Sequence, residues 1–207
     1  MVYCFADTLS WSCRIYYIYS DEEIIMPSIY FPAEDSLLLA KCVEKICRKM
    51  LRENENLKIL DIGTGSGIQA MSALKAGVLK KNILAADINR KAVDFMRKKG
   101  FNARVSCLFS KIPGKFDLII FNPPYLPQDA LDKGKDTTGG RFGDETILRF
   151  LEKVRDYLNN GGKILLVLSS LTPKKRILAE IRNKRLRCRQ IATEKVFFEE
   201  IFVCLLQ

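Results

Sequence analysis

Residues Phe121-Asn122-Pro123-Pro124-Tyr125 follow directly on the apolar run FDLII (116–120). Proline locks φ and has no N–H to give a sheet, so a chain that leaves a buried strand through Asn-Pro-Pro-Tyr holds its carbonyls and the Asn122 amide still. Two fixed acceptors, the Asn122 side-chain oxygen and the Pro123 carbonyl, suit the two N–H groups of a planar nitrogen. The Tyr125 ring suits the plane itself. An ordinary Pro-Pro turn after a strand is the competing reading.

A second set lies upstream, in ILDIGTGSG (59–67), which reads as strand, glycine turn and helix start. Gly63, Gly65 and Gly67 let backbone approach a ligand closely, and a helix N-terminus favours negative charge. The dinucleotide fingerprint requires glycine where this chain has Ile68, which disfavours a nicotinamide cofactor. Asp87 ends the next strand, 24 residues after Gly63, where a carboxylate can accept both hydroxyl hydrogens of a ribose. Each element alone is readable as a tight turn or a capping acid; together they imply a ribose-bearing cofactor.

The elements that must position these residues alternate in the order that builds a parallel sheet with helices on both faces, an α/β fold. The pattern predicts a hairpin over 14–25, a helix over 34–52 with Leu39, Val43, Ile46 and Met50 inward, and a strand over 57–60. A helix over 68–76, a strand over 82–87, a helix capped by Asn89 and ended by Gly100, a short strand near 103–108 and a strand over 116–121 follow. Residues 122–143 read as a long loop of the kind that forms lids. Then come a helix over 144–157, a Gly161-Gly162 turn, a strand over 163–168, a helix over 174–184 and two last strands, with Phe197, Ile201, Val203 and Leu205 as core.

Composition bounds the chemistry. At 207 residues the chain has room for one buried α/β core. It contains no apolar run near the ~20 residues of a membrane span, and its start lacks the marks of a signal peptide. Seven cysteines without a CxxC pair point to a reducing cytoplasm, with no disulfide framework and no zinc or other metal site of the chain's own. There is no histidine, which removes the commonest general base. Net charge is +10, and residues 172–195 hold nine basic against two acidic residues, a local +7. That segment reads either as an RNA-contacting patch or as the solvated face of a late helix and strand.

The motifs YFPAEDSLLL (30–39), LDIGTGSG (60–67), AADIN (85–89), FDLIIFNPPYLP (116–127) and GGRFGDE (139–145) resemble those of the HemK-like protein-glutamine methyltransferases of the archaeal and eukaryotic type. The resemblance implies a Rossmann-like class I methyltransferase domain over 30–207, preceded by an extension and hairpin over 1–29. Its expected sheet is mostly parallel and seven-stranded, with an antiparallel C-terminal strand. It implies S-adenosylmethionine as cofactor, with Ser36 touching it from the first helix, Asp61 and Gly63 holding its methionine part, Asp87 at the ribose, and Gly65, Gly67, Ile88, Cys107, Leu108 and Asn122 completing the contact. Cys107 stands where the family has an aspartate for the adenine amino group, and a thiol is a poor acceptor.

By the same resemblance Asn122, Pro123, Pro124 and Tyr125 form the catalytic loop and Arg141 serves the substrate or orders its loop. The implied substrate is the glutamine of the GGQ loop of a class-1 translation termination factor, with a small zinc-binding activator as partner. Asn-Pro-Pro-Tyr enzymes also act on adenine or guanine amino groups, so methylation of RNA, and less readily of DNA, remains the alternative. A cofactor-binding scaffold without catalysis is the third reading.

Overall fold

The computed structural model describes residues 32–126, 140–197 and 199–207. The hairpin expected over 14–25 and most of the expected lid lie outside the described residues. The elements are α1 (Glu34–Leu51), β1 (Ile59–Ile62), α2 (Ile68–Lys75), β2 (Ile83–Asp87), α3 (Arg90–Lys98), β3 (Asn102–Val105), β4 (Phe116–Phe121), α4 (Glu145–Val154), β5 (Leu158–Ser169), α5 (Lys174–Asn183), β6 (Cys188–Val196) and β7 (Glu199–Leu206), with 3₁₀ turns at Lys80–Asn82 and Arg155–Tyr157.

The seven strands form one sheet in the order β3-β2-β1-β4-β5-β7-β6. β7 runs antiparallel to both β5 and β6, and the pairs among β1 to β5 are parallel. The expected mixed sheet is therefore the one found. The chain builds outward from β1 through β2 to β3, then returns to place β4 on the other side of β1. That reversal opens a crevice at the carboxyl ends of β1 and β4, where ligands of doubly wound sheets bind. Ile62 and Phe121, the last residues of these two strands, are register partners.

The central strands are buried on both sides, as a parallel sheet between helices requires. Ile59, Leu60, Ile83, Leu118, Ile119 and Ile120 are fully enclosed. Phe121 packs against Phe150 of α4 in a tilted ring pair with centroids 4.6 Å apart, a contact of about 1 kcal/mol beyond its burial, and so anchors the point where the chain leaves β4. In α1 the buried stripe is Leu38, Leu39, Cys42, Val43, Cys47 and Met50, with Ile46 at its margin. Asn89 caps α3 as expected, accepting from the Lys91 N–H at 3.0 Å.

Three expectations are corrected. β1 lies two residues later than predicted because the buried pair Asp61-Ile62 continues the ladder with β2 and β4. Gly161 and Gly162 do not end an element; they form an irregularity inside β5, whose partners on β4 step from Phe116↔Leu158 to Leu118↔Lys163. A Cβ at Gly162 would lie 2.9 Å from the Asn159 carbonyl oxygen, so the close approach demands glycine there. Phe197 is 98% exposed at the β6–β7 turn, whereas Ile201, Val203 and Leu205 are core.

Candidate active site

A cavity of about 330 Å³ opens at the carboxyl ends of β1, β2 and β4. It is lined by the turn after β1 (Gly63, Thr64, Gly65, Ser66), by Asp87 and Ile88 after β2, by Cys107 and Leu108 after β3 and by Asn122, Pro123, Pro124 and Tyr125 after β4. Asp35, Ser36, Gln69 and Arg149 close it. Motifs separated by up to ninety residues therefore meet because they all sit at one end of one sheet.

The turn after β1 is shaped by three left-handed glycines, Gly63, Gly65 and Gly67, with φ of 65°, 51° and 80°. Gly65 donates its N–H to Asp87 Oδ2 at 2.9 Å, while Asp87 Oδ1 accepts from the Asn89 N–H at 2.8 Å. Asp87 thus ties the ends of β1 and β2 at the rim of the cavity. Ile88, 70% exposed, presents an apolar surface beside it, and Leu108 adopts the rare φ of 49°.

Three expected residues lie outside the lining. Asp61 is buried behind the turn and accepts from the Thr64 hydroxyl at 2.6 Å. Burial pushes its carboxyl up to about 7, the Asp87 charge adding to the rise and the Thr64 and Ala70 hydrogen bonds opposing it. Gly67 backs onto Met96: a Cβ there would stand 2.1 Å from the thioether sulfur. Arg141 is exposed and its guanidinium sits 5.4 Å from the Phe142 ring centroid; Gly139 before it is outside the described residues.

Cys107 lines the cavity, and its sulfur accepts weakly from Arg149 Nη2 at 3.5 Å. Ser106 lies beside it with its hydroxyl committed to the Leu108 carbonyl at 2.8 Å.

Asn122 is held from α1. Its Nδ2 donates to Asp35 Oδ2 at 3.0 Å and to Ser36 Oγ at 3.2 Å. Its Oδ1 is buried with no hydrogen-bond partner among the described residues. The Tyr125 hydroxyl reaches the same Asp35 oxygen at 3.4 Å, and the Tyr125 carbonyl accepts from Thr172 Oγ1 at 3.3 Å. The loop is therefore clamped by the first turn of α1 and by the segment after β5.

Gln69 shows the same pattern as Asn122: Nε2 donates to the Ser36 carbonyl at 3.0 Å and Oε1 is buried without a partner among the described residues. Unsatisfied buried acceptors are costly. Two of them on residues lining one cavity fit a ligand that brings N–H donors, as the ammonium of S-adenosylmethionine and a planar nitrogen substrate would. Asp87 and Gly65, bonded to each other, line the same cavity.

Sequence reasoning missed Asp35, Gln69, Thr172 and Arg149. Asp35 lies within the quoted YFPAEDSLLL stretch, yet an acid in the first turn of a helix is an ordinary dipole partner. For Gln69, Thr172 and Arg149 no local signal exists.

Comparison with known proteins identifies the family. The family model for the methyltransferase small domain matches residues 38–198. A Methanocaldococcus jannaschii relative, named as a candidate protein N5-glutamine methyltransferase, is 35% identical over 86% of this chain and 90% of its own length. The eRF1 methyltransferase catalytic subunit mtq2 of Schizosaccharomyces pombe is 30% identical over 67% of this chain and 71% of its own. Among solved structures, the Mtq2–Trm112 complex of E. cuniculi, described as methylating the eRF1 translation termination factor, superposes with a TM-score of 0.68 at 26% identity, covering 86% of this chain and 98% of that one. With the glycine turn, Asp87 and Asn-Pro-Pro-Tyr all inside the matched span, the chain belongs to the methyltransferase small domain family.

Proposed function

We propose that this protein transfers a methyl group from S-adenosylmethionine to the side-chain amide nitrogen of the glutamine in the GGQ loop of a class-1 translation termination factor. The observation that carries the reading is the Asn122 amide: both N–H bonds are spent on Asp35 and Ser36, and the oxygen is left without a partner among the described residues. The relatives named for glutamine or eRF1 methylation span most of the chain, which favours an amide over a nucleobase.

The cofactor supplies an electrophilic methyl on a sulfonium. The protein's part is to present a poor nucleophile correctly, because an amide nitrogen has its lone pair delocalised into the carbonyl. Asn122 Oδ1 and the Pro123 carbonyl accept the two amide hydrogens and turn the lone pair out of conjugation. The same acceptors stabilise the positive charge that grows on nitrogen. Rigidity from Pro123 and Pro124, together with the clamps on Tyr125, holds the geometry for in-line attack. As the N–CH₃ bond formed, the S–CH₃ bond would break and leave the neutral thioether, and the nitrogen, acidic only once it carries the methyl, would release its proton to water, so no side-chain base is required before transfer.

In this reading Ser36, Gly63, Gly65, Asp87, Ile88, Cys107 and Leu108 hold the cofactor. Asp61 and Gly67 shape the turn from behind, and Arg141 acts on the loop rather than in the cavity. A small zinc-binding activator is the proposed partner, supported by the two-protein complex of the similar solved structure. Exposed cations on α5, β6 and the connection between them, among them Lys175, Arg182, Arg187 and Arg189, form the proposed surface for RNA around the termination factor. No described helix is long and apolar enough to cross a membrane, and a cytoplasmic site of action, where termination factors work, is part of this proposal.

The test is a competition for labelled methyl among a termination factor, the same factor with its GGQ glutamine replaced, ribosomal RNA and duplex DNA. Label on the intact factor alone is the expected result. Label on RNA or DNA would overturn the substrate.

A further inference from the structure

We infer that Asp35 is a positioning residue for methyl transfer: its carboxylate fixes the Asn122 amide with the oxygen turned to the substrate nitrogen and polarises that oxygen. The inference rests on the reading above and adds a residue to it.

Asp35 sits in the first turn of α1, and only 3% of it is exposed. Its Oδ1 accepts the Ser36 N–H. Its Oδ2 accepts both Asn122 Nδ2 at 3.0 Å and the Tyr125 hydroxyl at 3.4 Å. One carboxylate, 87 residues from Asn122 in sequence, thus holds two side chains of the catalytic loop.

An amide can present either end. Turned over, Asn122 would set Oδ1 against a carboxylate oxygen, which has no hydrogen to donate, and would aim its N–H groups at the substrate's own N–H groups. Ser36 Oγ alone does not decide the matter, because a hydroxyl serves as donor or acceptor. Asp35 is the only one of the two partners that rejects the wrong orientation.

Hydrogen bonds in series strengthen one another in a dry site. A charge pulling on the Nδ2–H shifts electron density toward Oδ1, where positive charge on the methyl-accepting nitrogen must be stabilised. The helix N-terminus beneath Asp35 makes a buried carboxylate tolerable there.

Asparagine at position 35 breaks this logic at nearly constant shape. Its single oxygen can serve Ser36 N–H or Asn122 Nδ2, and its NH₂ then meets another donor. The experiment measures kcat and cofactor Kd for the wild type, Asp35→Asn, Asn122→Ala and the double variant, with S-adenosylmethionine and an intact termination factor.

The expected result is a kcat lowered about 10- to 100-fold in Asp35→Asn with cofactor Kd within about threefold of wild type, and a further loss under about threefold when Asn122 is already alanine. A kcat equal to wild type, or the same loss in both backgrounds, would overturn the role. A second comparison avoids dependence on one fold: Asn122→Asp sets two carboxylates together, and adding Asp35→Asn restores a donor–acceptor pair. Recovery of at least about tenfold is expected over Asn122→Asp alone; no recovery overturns the proposal. A wild type that leaves the glutamine unlabelled removes the substrate reading and this role with it, whereas an active wild type matched by Asp35→Asn removes this role alone.

Discussion

Gly65 and Asp87 join the first two strands of the sheet through one hydrogen bond, N–H to Oδ2 at 2.9 Å. The carboxylate that sequence reasoning reserved for a ribose is thus also the latch of the glycine turn. Asp87→Ala removes the acceptor for Gly65 and Asn89 together, and the loss of about 1–3 kcal/mol is expected in cofactor affinity. Calorimetry should show Kd for S-adenosylmethionine raised about 10- to 100-fold. An unchanged Kd would remove Asp87 from the cofactor site.

Asn122→Ala deletes the orphan acceptor while leaving the turn after β1 untouched. Turnover should fall about 10²-fold or more, the scale of one preorganised partner lost, with cofactor Kd nearly unchanged. Stopped reactions at saturating cofactor separate the two quantities, and equal turnover would exclude Asn122 from the mechanism.

Asp61 makes stability depend on pH. Its folded carboxyl titrates at about 7, against an ordinary value of 3.8. Between these values the folded protein keeps a proton that the unfolded chain has released, so stability falls as pH rises from about 4 to about 7. The full penalty is on the order of 4 kcal/mol. Melting temperatures of the cofactor-free protein should drop across this window, and Asp61→Asn should flatten the slope. A slope equal in the variant would assign it elsewhere.

Asp144, the residue before α4, is fully buried, and its Oδ1 accepts from Arg176 Nη1 of α5 at 3.1 Å. Arg176 is half-exposed, which screens the pair, yet removing it strands a buried charge. Arg176→Leu should cost about 1–3 kcal/mol in urea unfolding, and adding Asp144→Asn should return part of it. A loss below about 0.5 kcal/mol would show that the pair is immaterial to the α4–α5 contact.

Much of the fold was legible because its signals are local. Alternation of apolar runs with turns identified the strands from β1 to β4, and Asn89 and Gly100 marked the bounds of α3. β5 was read short because two glycines look like a stop unless the chain across from them is known. Phe197 was read as core because a large apolar residue carries no sign of whether an opposing layer covers it.

The sequence by itself determined which chemistry the site could hold, since glycines, Asp87 and Asn-Pro-Pro-Tyr carry it in their residue types. Only the tertiary structure decided how that chemistry is oriented. It set Asp61 behind the turn and Arg141 outside the cavity, and it brought Asp35 and Thr172 against the Asn-Pro-Pro-Tyr loop. Hydrogen-bond partners distant in sequence are chosen by strand order and register, and neither leaves a mark on the residues that will meet.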